Sequence, residues 1–277
     1  CAPALAHRLL AAPPMTLAAG RVGAERPSYV FLHGLFGQGR NWTSVARALE
    51  PAGSLLVDLP NHGESAWTER LNYDEIADEV ADLLRVAGAA EAPMTVVGHS
   101  LGGKAAMRLA LRHPDLVGRL AVIDISPVAG RVGDFSAYTD AMLGLDLDQL
   151  RDRREIEEAL TGAAPDPRVR GFLMQSLRRR HDTNGYEWRP NLELLGSSLD
   201  VIGDWPSTAN LAPFEGPVLW IAGAESDYVK PDHMAAMREL FPKVRLVTVK
   251  NAGHWVHADR PEVVVELLQY LAGLPLS

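Results

Sequence analysis

The sequence predicts an α/β fold: a mostly parallel central sheet, helices on both of its faces, and a helical insertion. Three observations lead there. Short runs of β-branched and apolar residues alternate with amphipathic segments of helical period, the pattern of strands joined by crossover helices. The runs are apolar on successive positions, which marks strands buried on both faces, as parallel strands are. The alternation breaks once, over residues 128–215, where charged segments of helical period replace the strand pattern. The expected division is a sheet-and-helix core over residues 1–127 and 216–277, with a helical lid over residues 128–215.

Composition bounds what such a chain does. With 277 residues, 47% of them hydrophobic, it can bury one full core and carry an insertion. A net charge of −8 argues against nucleic acid or an anionic membrane as the main partner. No run of about twenty apolar residues is present to span a membrane. A single cysteine, Cys1, rules out an intrachain disulfide. No secretory leader is visible, so a cytoplasmic enzyme is expected. Oligomeric state is left open.

Taken in order, the chain starts with an edge strand expected over 15–22 and a buried strand over 28–32, which ends at His33-Gly34-Leu35-Phe36-Gly37. A helix over 41–49 places Trp42, Val45 and Leu49 on one face. The strand over 54–57 runs into Asp58-Leu59-Pro60-Asn61-His62-Gly63-Glu64-Ser65, and residues 73–86 form an amphipathic helix with an acidic wet side. A strand over 94–97 and a helix over 104–111, stopping near His113-Pro114, come next. Residues 120–124 form another buried strand. Within the insertion, 137–143, 154–160 and 169–179 are helical in period, and Arg178-Arg179-Arg180-His181 reads as a solvated helix end. Strands return over 217–222 and 244–249, and a helix over 261–271 closes the chain.

The chemistry centres on Gly98-His99-Ser100-Leu101-Gly102-Gly103, between the strand over 94–97 and the helix over 104–111. A serine inside Gly-x-Ser-x-Gly at a strand-to-helix turn is a nucleophile elbow in the context that supports it. So sharp a turn strains the serine backbone and leaves no room for β-carbons at Gly98 and Gly102. It lifts the Ser100 hydroxyl above the sheet edge, over the positive end of a helix.

Together with His33-Gly34, Asp58-x-Pro60-x-His62-Gly63-x-Ser65 and a late Gly253-His254, this motif resembles the α/β-hydrolase fold across nearly the whole chain. More narrowly, the chain resembles the YbfF-type short-chain esterases and their mitochondrial relatives. That likeness rests on His33 to Gly37 with Asn41-Trp42, on Gly98 to Lys104, on Asp124-Ile125-Ser126-Pro127-Val128, and on the string from Asn251 to Pro261.

A serine hydroxyl needs a base within hydrogen-bond reach. His254 follows the last strand, where the resemblance places the catalytic histidine. Its partner acid has two candidates. Asp227 lies in Asp227-Tyr228-Val229-Lys230-Pro231, which looks like the usual acid-bearing loop, although Gly223 sits one place early. Asp124 ends the strand beside the nucleophile strand, and the YbfF-type resemblance implies the acid there. Asp124 is preferred and Asp227 stays open. The oxyanion hole is expected from the backbone N–H groups of Leu35 and Leu101. The Asp58–Ser65 loop is expected to brace its neighbour, Lys104 to pair with a buried carboxylate, and Phe36, Met142, Leu173 and Trp255 to form the acyl pocket.

No ligand spacing for a metal, no phosphate loop and no nicotinamide or flavin fingerprint appears, so no metal or cofactor is expected. The expected function is a serine hydrolase for carboxylic esters with small to medium acyl groups, working on a small-molecule ester through an acyl-enzyme on Ser100. Thioester hydrolysis, acyl transfer and carbon–carbon bond hydrolysis are alternatives on the same triad. A ligand-binding receptor or scaffold with little turnover is the rival outside enzymes.

Overall fold

Consecutive β-branched and apolar residues favour extended chain buried on both sides; such runs form the inner strands of a seven-stranded sheet, whose two edge strands are more exposed. The computed structural model describes residues 17–130, 132–180 and 185–276. Cys1, positions 15–16 of the expected edge strand, and His181 lie outside the described residues. The first half runs β1 (Ala19–Val22), β2 (Pro27–Leu32), α1 (Thr43–Ala48), β3 (Gly53–Val57), α2 (Tyr73–Val86), β4 (Met94–His99), α3 (Leu101–Arg112) and β5 (Val117–Ile123). Between β5 and β8 the chain carries α4 (Phe135–Gly144), α5 (Arg153–Ala159), α6 (Pro167–Met174), β6 (Leu177–Arg179), β7 (Tyr186–Trp188), α7 (Leu192–Ser197) and α8 (Leu199–Gly203). The sheet resumes with β8 (Val218–Gly223), α9 (Met234–Leu240), β9 (Val244–Val249), α10 (Val256–Asp259) and α11 (Pro261–Ala272).

The strand order is β1-β3-β2-β4-β5-β8-β9, with β1 alone antiparallel. Side chains alternate across each strand, so one strand feeds two cores. Val30, Leu32, Val96 and Val122 pack with Val80 and Leu84 of α2 and Met107 of α3. Phe31, Val97, Ile123 and Ile221 pack with Val45 of α1 and Val264 and Leu268 of α11. β4 is the middle strand, and β4, β5 and β8 all point their C-terminal ends at the same edge. That edge collects the loops of interest, as open α/β sheets do.

The segment between β5 and β8 is tied down at several points. Phe135, Met142, Leu173 and Leu195 belong to the same core as α2 and α3. The Lys104 ammonium donates to the carbonyls of Ile202 (3.3 Å), Gly203 (2.7 Å) and Asp204 (2.6 Å) at the end of α8. Tyr73 Oη donates to the Ile202 carbonyl at 2.8 Å. The Gln175 carbonyl accepts from Gln38 Nε2 at 2.9 Å and Arg40 at 2.7 Å. No described helix is long and apolar enough to cross a membrane.

Two expectations are corrected here. The helix over 169–179 stops at Met174, and residues 177–179 pair with 186–188 as a small hairpin. Arg178 and Arg179 are therefore strand, not helix end. Cross-strand partners explain it: Arg178 pairs with Glu187, Arg179 lies over the Tyr186 ring, and Arg180 reaches Asp148 at 2.8 Å. Lys104 binds backbone carbonyls rather than a buried carboxylate. The negative end of α8 supplies what a carboxylate would have.

Candidate active site

Ser100 joins β4 to α3 with φ +53° and ψ −120°. Its N–H donates to the Ile123 carbonyl of β5 at 3.1 Å, and its carbonyl accepts from Lys104 N at 3.0 Å. A β-carbon on Gly98 would collide with the Gly102 carbonyl, and one on Gly102 with the carbonyls of Leu32 and His33. Only glycine permits so tight a crossing. Phe36 and Asp124 share positive φ, at +61° and +50°. Backbone strain thus gathers in three loops at one sheet edge, where functional sites hold it.

The loop after β2 is braced from behind by two histidines. His33 Nδ1 donates to the Gly34 carbonyl at 2.8 Å, while its Nε2 accepts from Leu59 N at 3.0 Å. His62 Nδ1 donates to the Pro60 carbonyl at 2.9 Å, and its Nε2 accepts from Phe36 N at 3.2 Å. These partners require one proton per ring. Burial enforces it, holding His33 down to about 4 and His62, helped by its His33 neighbour, down to about 3. Asp58 completes the brace by accepting from Gly39 N at 2.6 Å and Glu64 N at 2.9 Å. With Phe36 N–H engaged, the N–H groups of Leu35 and Leu101 remain without a hydrogen-bond partner among the described residues. Both residues line the cavity over Ser100.

Asp124, fully buried at the end of β5, accepts at both oxygens. Gly223 N donates to Oδ1 at 2.9 Å. Oδ2 takes Ser226 Oγ–H and, at 2.8 Å, His254 Nδ1–H. A carboxylate on Nδ1 fixes the tautomer and leaves the Nε2 lone pair bare. His254 Nε2 is indeed buried and without a partner. The ring is held on other sides too. Tyr228 stacks on it with centroids 4.1 Å apart and planes at 25°, and His99 lies 4.7 Å away. His99 Nε2–H donates to the His254 carbonyl at 2.8 Å, and burial depresses the His99 ring far below its usual range. Asp259 Oδ2 accepts from Gly253 N at 2.8 Å, fixing the residue before His254.

Ser100 and His254 open on one cavity of about 760 Å³. Asp227 lies on its wall, exposed, and makes no hydrogen bond to His254. Of the two carboxylates considered, the structure brings Asp124 to the imidazole and leaves Asp227 aside. The pocket expectation is corrected. Phe36, Met142 and Leu173 are core residues at 1%, 1% and 0% exposure, and none lines the cavity. Trp255 packs on Phe172, 5.4 Å away, instead of facing the cavity. The apolar wall includes Leu35, Leu101, Ile125, Val132, Phe135 and Ile202. Sequence reasoning also missed Ser226 and Tyr228. The early Gly223 was the available sign, since it sets the turn that brings its own N–H and Ser226 to Asp124.

A hydroxyl, a bare imidazole nitrogen whose other end is held by a buried carboxylate, and two free N–H groups can together support acyl transfer. Comparison with known proteins agrees. A model of the alpha/beta hydrolase family matches residues 29–267. The sn-1-specific diacylglycerol lipase ABHD11 of Mus musculus is 38% identical over 248 residues, covering 86% of this chain and 78% of that one. Esterase YbfF of Escherichia coli is 30% identical over 241 residues, covering 87% and 91%. Among solved structures, a marine microorganism esterase superposes with a TM-score of 0.88 at 28% identity, covering 93% of this chain and 99% of that one.

Proposed function

The chain belongs to the alpha/beta hydrolase family and is a serine ester hydrolase; we propose that it cleaves carboxylic esters with small to medium acyl groups through an acyl-enzyme on Ser100. His254 is the base, Asp124 the acid that orients it, and Leu35 and Leu101 supply the oxyanion hole. The observation that carries this is the Asp124–His254 pair at 2.8 Å, with Nε2 unpaired in the cavity that Ser100 lines.

Each step follows from that geometry. Ser100 Oγ attacks the ester carbonyl carbon while its proton passes to His254 Nε2. The tetrahedral oxyanion accepts from the Leu35 and Leu101 N–H groups, each worth about 3 kcal/mol in the transition state. Asp124 stays anionic and stabilises the imidazolium. His254 returns the proton to the leaving alkoxide, and the alcohol departs. Water then attacks the Ser100 ester, giving its proton to Nε2, and collapse frees the carboxylic acid and restores the hydroxyl.

The acyl-size proposal is supported by a cavity of about 760 Å³ with an apolar wall, to which Val132, Phe135 and Ile202 of the proposed lid over 128–215 contribute. Cavities of roughly 300–1,000 Å³ suit small molecules. The test is hydrolysis of nitrophenyl esters from acetate to palmitate, with Ser100→Ala as control. We expect kcat/KM to peak at short or medium chains and a fluorophosphonate to label Ser100. A peak at palmitate overturns the acyl size, and absent labelling overturns the nucleophile. A cytoplasmic location, expected from the sequence, is proposed alongside and is tested by fractionating cells that make the protein.

A further inference from the structure

The loop after β8 occupies the place where an acid was one expectation, yet Asp227 makes no hydrogen bond to His254. Its neighbour Tyr228 makes the closest ring contact to that imidazole: centroids 4.1 Å apart and planes 25° off parallel. Three observations show the ring is placed rather than incidental. The Tyr228 carbonyl accepts from Ser126 Oγ at 3.1 Å, tying it to the chain just beyond Asp124. Its N–H donates at 3.3 Å to Ser226 Oγ, the hydroxyl that itself donates to Asp124. Its far end meets the inserted segment: a β-carbon on Gly133, which has φ +61°, would lie 3.2 Å from the Tyr228 hydroxyl. The ring is thus wedged between His254 and the residues that begin the insertion.

An aromatic face carries negative charge density and attracts a cation above it. As the general base, His254 carries positive charge while it holds the Ser100 proton. An attraction present only in that state lowers the barrier without tightening substrate binding. We propose that Tyr228 is a positioning residue for His254: its ring keeps the imidazole aligned between Asp124 and Ser100, and its face stabilises the imidazolium formed in the transition state. The hydroxyl is not part of this role. Burial, with Asp124 adding to it, pushes the phenol up to about 12, so the ring stays neutral throughout the working range. The role rests on His254 being the base.

Other groups bear on the same imidazole and must stay constant in a test. Asp124 from β5, His99 from β4 and His257 from α10 act on it directly, and burial keeps both of these histidines uncharged. Across the cavity stand Lys104, Asp134, Glu225, Asp227, Lys230 and His233. None is altered by a change at position 228.

The experiment compares Tyr228→Phe, Tyr228→Leu and pentafluorophenylalanine at 228, each with full pH profiles of kcat and kcat/KM. The fluorinated ring keeps the shape but reverses the charge on the face, so it remains informative if the leucine variant folds poorly. Tyr228→Phe should stay within about twofold of the parent. Tyr228→Leu and the fluorinated ring should lose on the order of tenfold in kcat with KM little changed. Their acid limbs should move to lower pH, because the charged imidazole has lost a stabilising neighbour. An unmoved limb, a loss confined to KM, or Tyr228→Phe as impaired as Tyr228→Leu would overturn the proposal. Ser100→Ala and His254→Ala, run in parallel, separate this from failure of the base assignment itself: turnover surviving in those two would sink the latter whatever position 228 does.

Discussion

Two aspartates lie near the same sheet edge, one after β5 and one after β8, and the structure treats them oppositely. Asp124 is 0% exposed and accepts hydrogen bonds from Gly223, Ser226 and His254. Asp227 is exposed on the cavity wall, and no hydrogen bond ties it to His254. A carboxylate in water is screened and free to turn, so it orients nothing. A buried one, saturated with donors, has a single orientation and acts at low dielectric. The difference lies in what each loop offers its aspartate. The β8 loop spends its own polar groups on Asp124, through Gly223 N and Ser226 Oγ, and presents Tyr228 rather than Asp227 to the imidazole.

The largest expected effect tests whether either acid matters. Ser100→Ala should cost about a millionfold in kcat and abolish fluorophosphonate labelling, as removing the nucleophile of such a unit does. Residual turnover sensitive to Asp124→Asn would break the comparison. Next, Asp124→Asn should cost about ten thousandfold in kcat, while Asp227→Asn should stay within about threefold, both read by steady-state kinetics on a nitrophenyl ester. An inverted order would return the acid role to the β8 loop.

A third prediction sharpens the contrast between buried and exposed groups through pH. Folding holds His33 near 4, and His62 and His257 near 3, against 6.5 for a free ring, with burial as the leading cause. The unfolded chain therefore binds more protons between about pH 6.5 and 4, and stability is lost as pH falls through that window. Each such histidine contributes a slope of about 1.4 kcal/mol per pH unit there. Denaturant unfolding should show a plateau above pH 7 and a steep decline below 6.5, and His62→Gln should flatten the decline by about one histidine. A pH-independent stability would mean these rings are not held neutral. The smallest effect concerns the insertion. Lys104→Met removes three donor bonds to the end of α8 and should lower unfolding free energy by about 1–3 kcal/mol, while Asp227→Asn should leave it unchanged.

Local chemistry was legible in the sequence. Strands and helices followed from apolar runs and period, and β9 (Val244–Val249) and α2 (Tyr73–Val86) have the bounds expected. The elbow was legible because its signature residues lie together between Gly98 and Gly103. What depends on side chains meeting across long separations was not. Asp124 and His254 are 130 positions apart; the preference for Asp124 came from the family resemblance, whereas the residues alone left Asp227 open. The pairing of residues 177–179 with 186–188 depends on Arg178 finding Glu187 and Glu64, partners that helical period does not reveal. The pocket residues were misplaced for the same reason. Met142 and Leu173 are apolar in the right segment, but the insertion turns them into the core and leaves Phe135 and Ile202 to face the cavity.

The central claim is that His254 Nδ1 gives its hydrogen to Asp124. Proton NMR reads this directly, since an imidazole N–H held by a buried carboxylate resonates far downfield of the amide region. That signal should be present in the parent and in Asp227→Asn, and absent from Asp124→Asn. Its survival in Asp124→Asn with loss in Asp227→Asn would contradict the account.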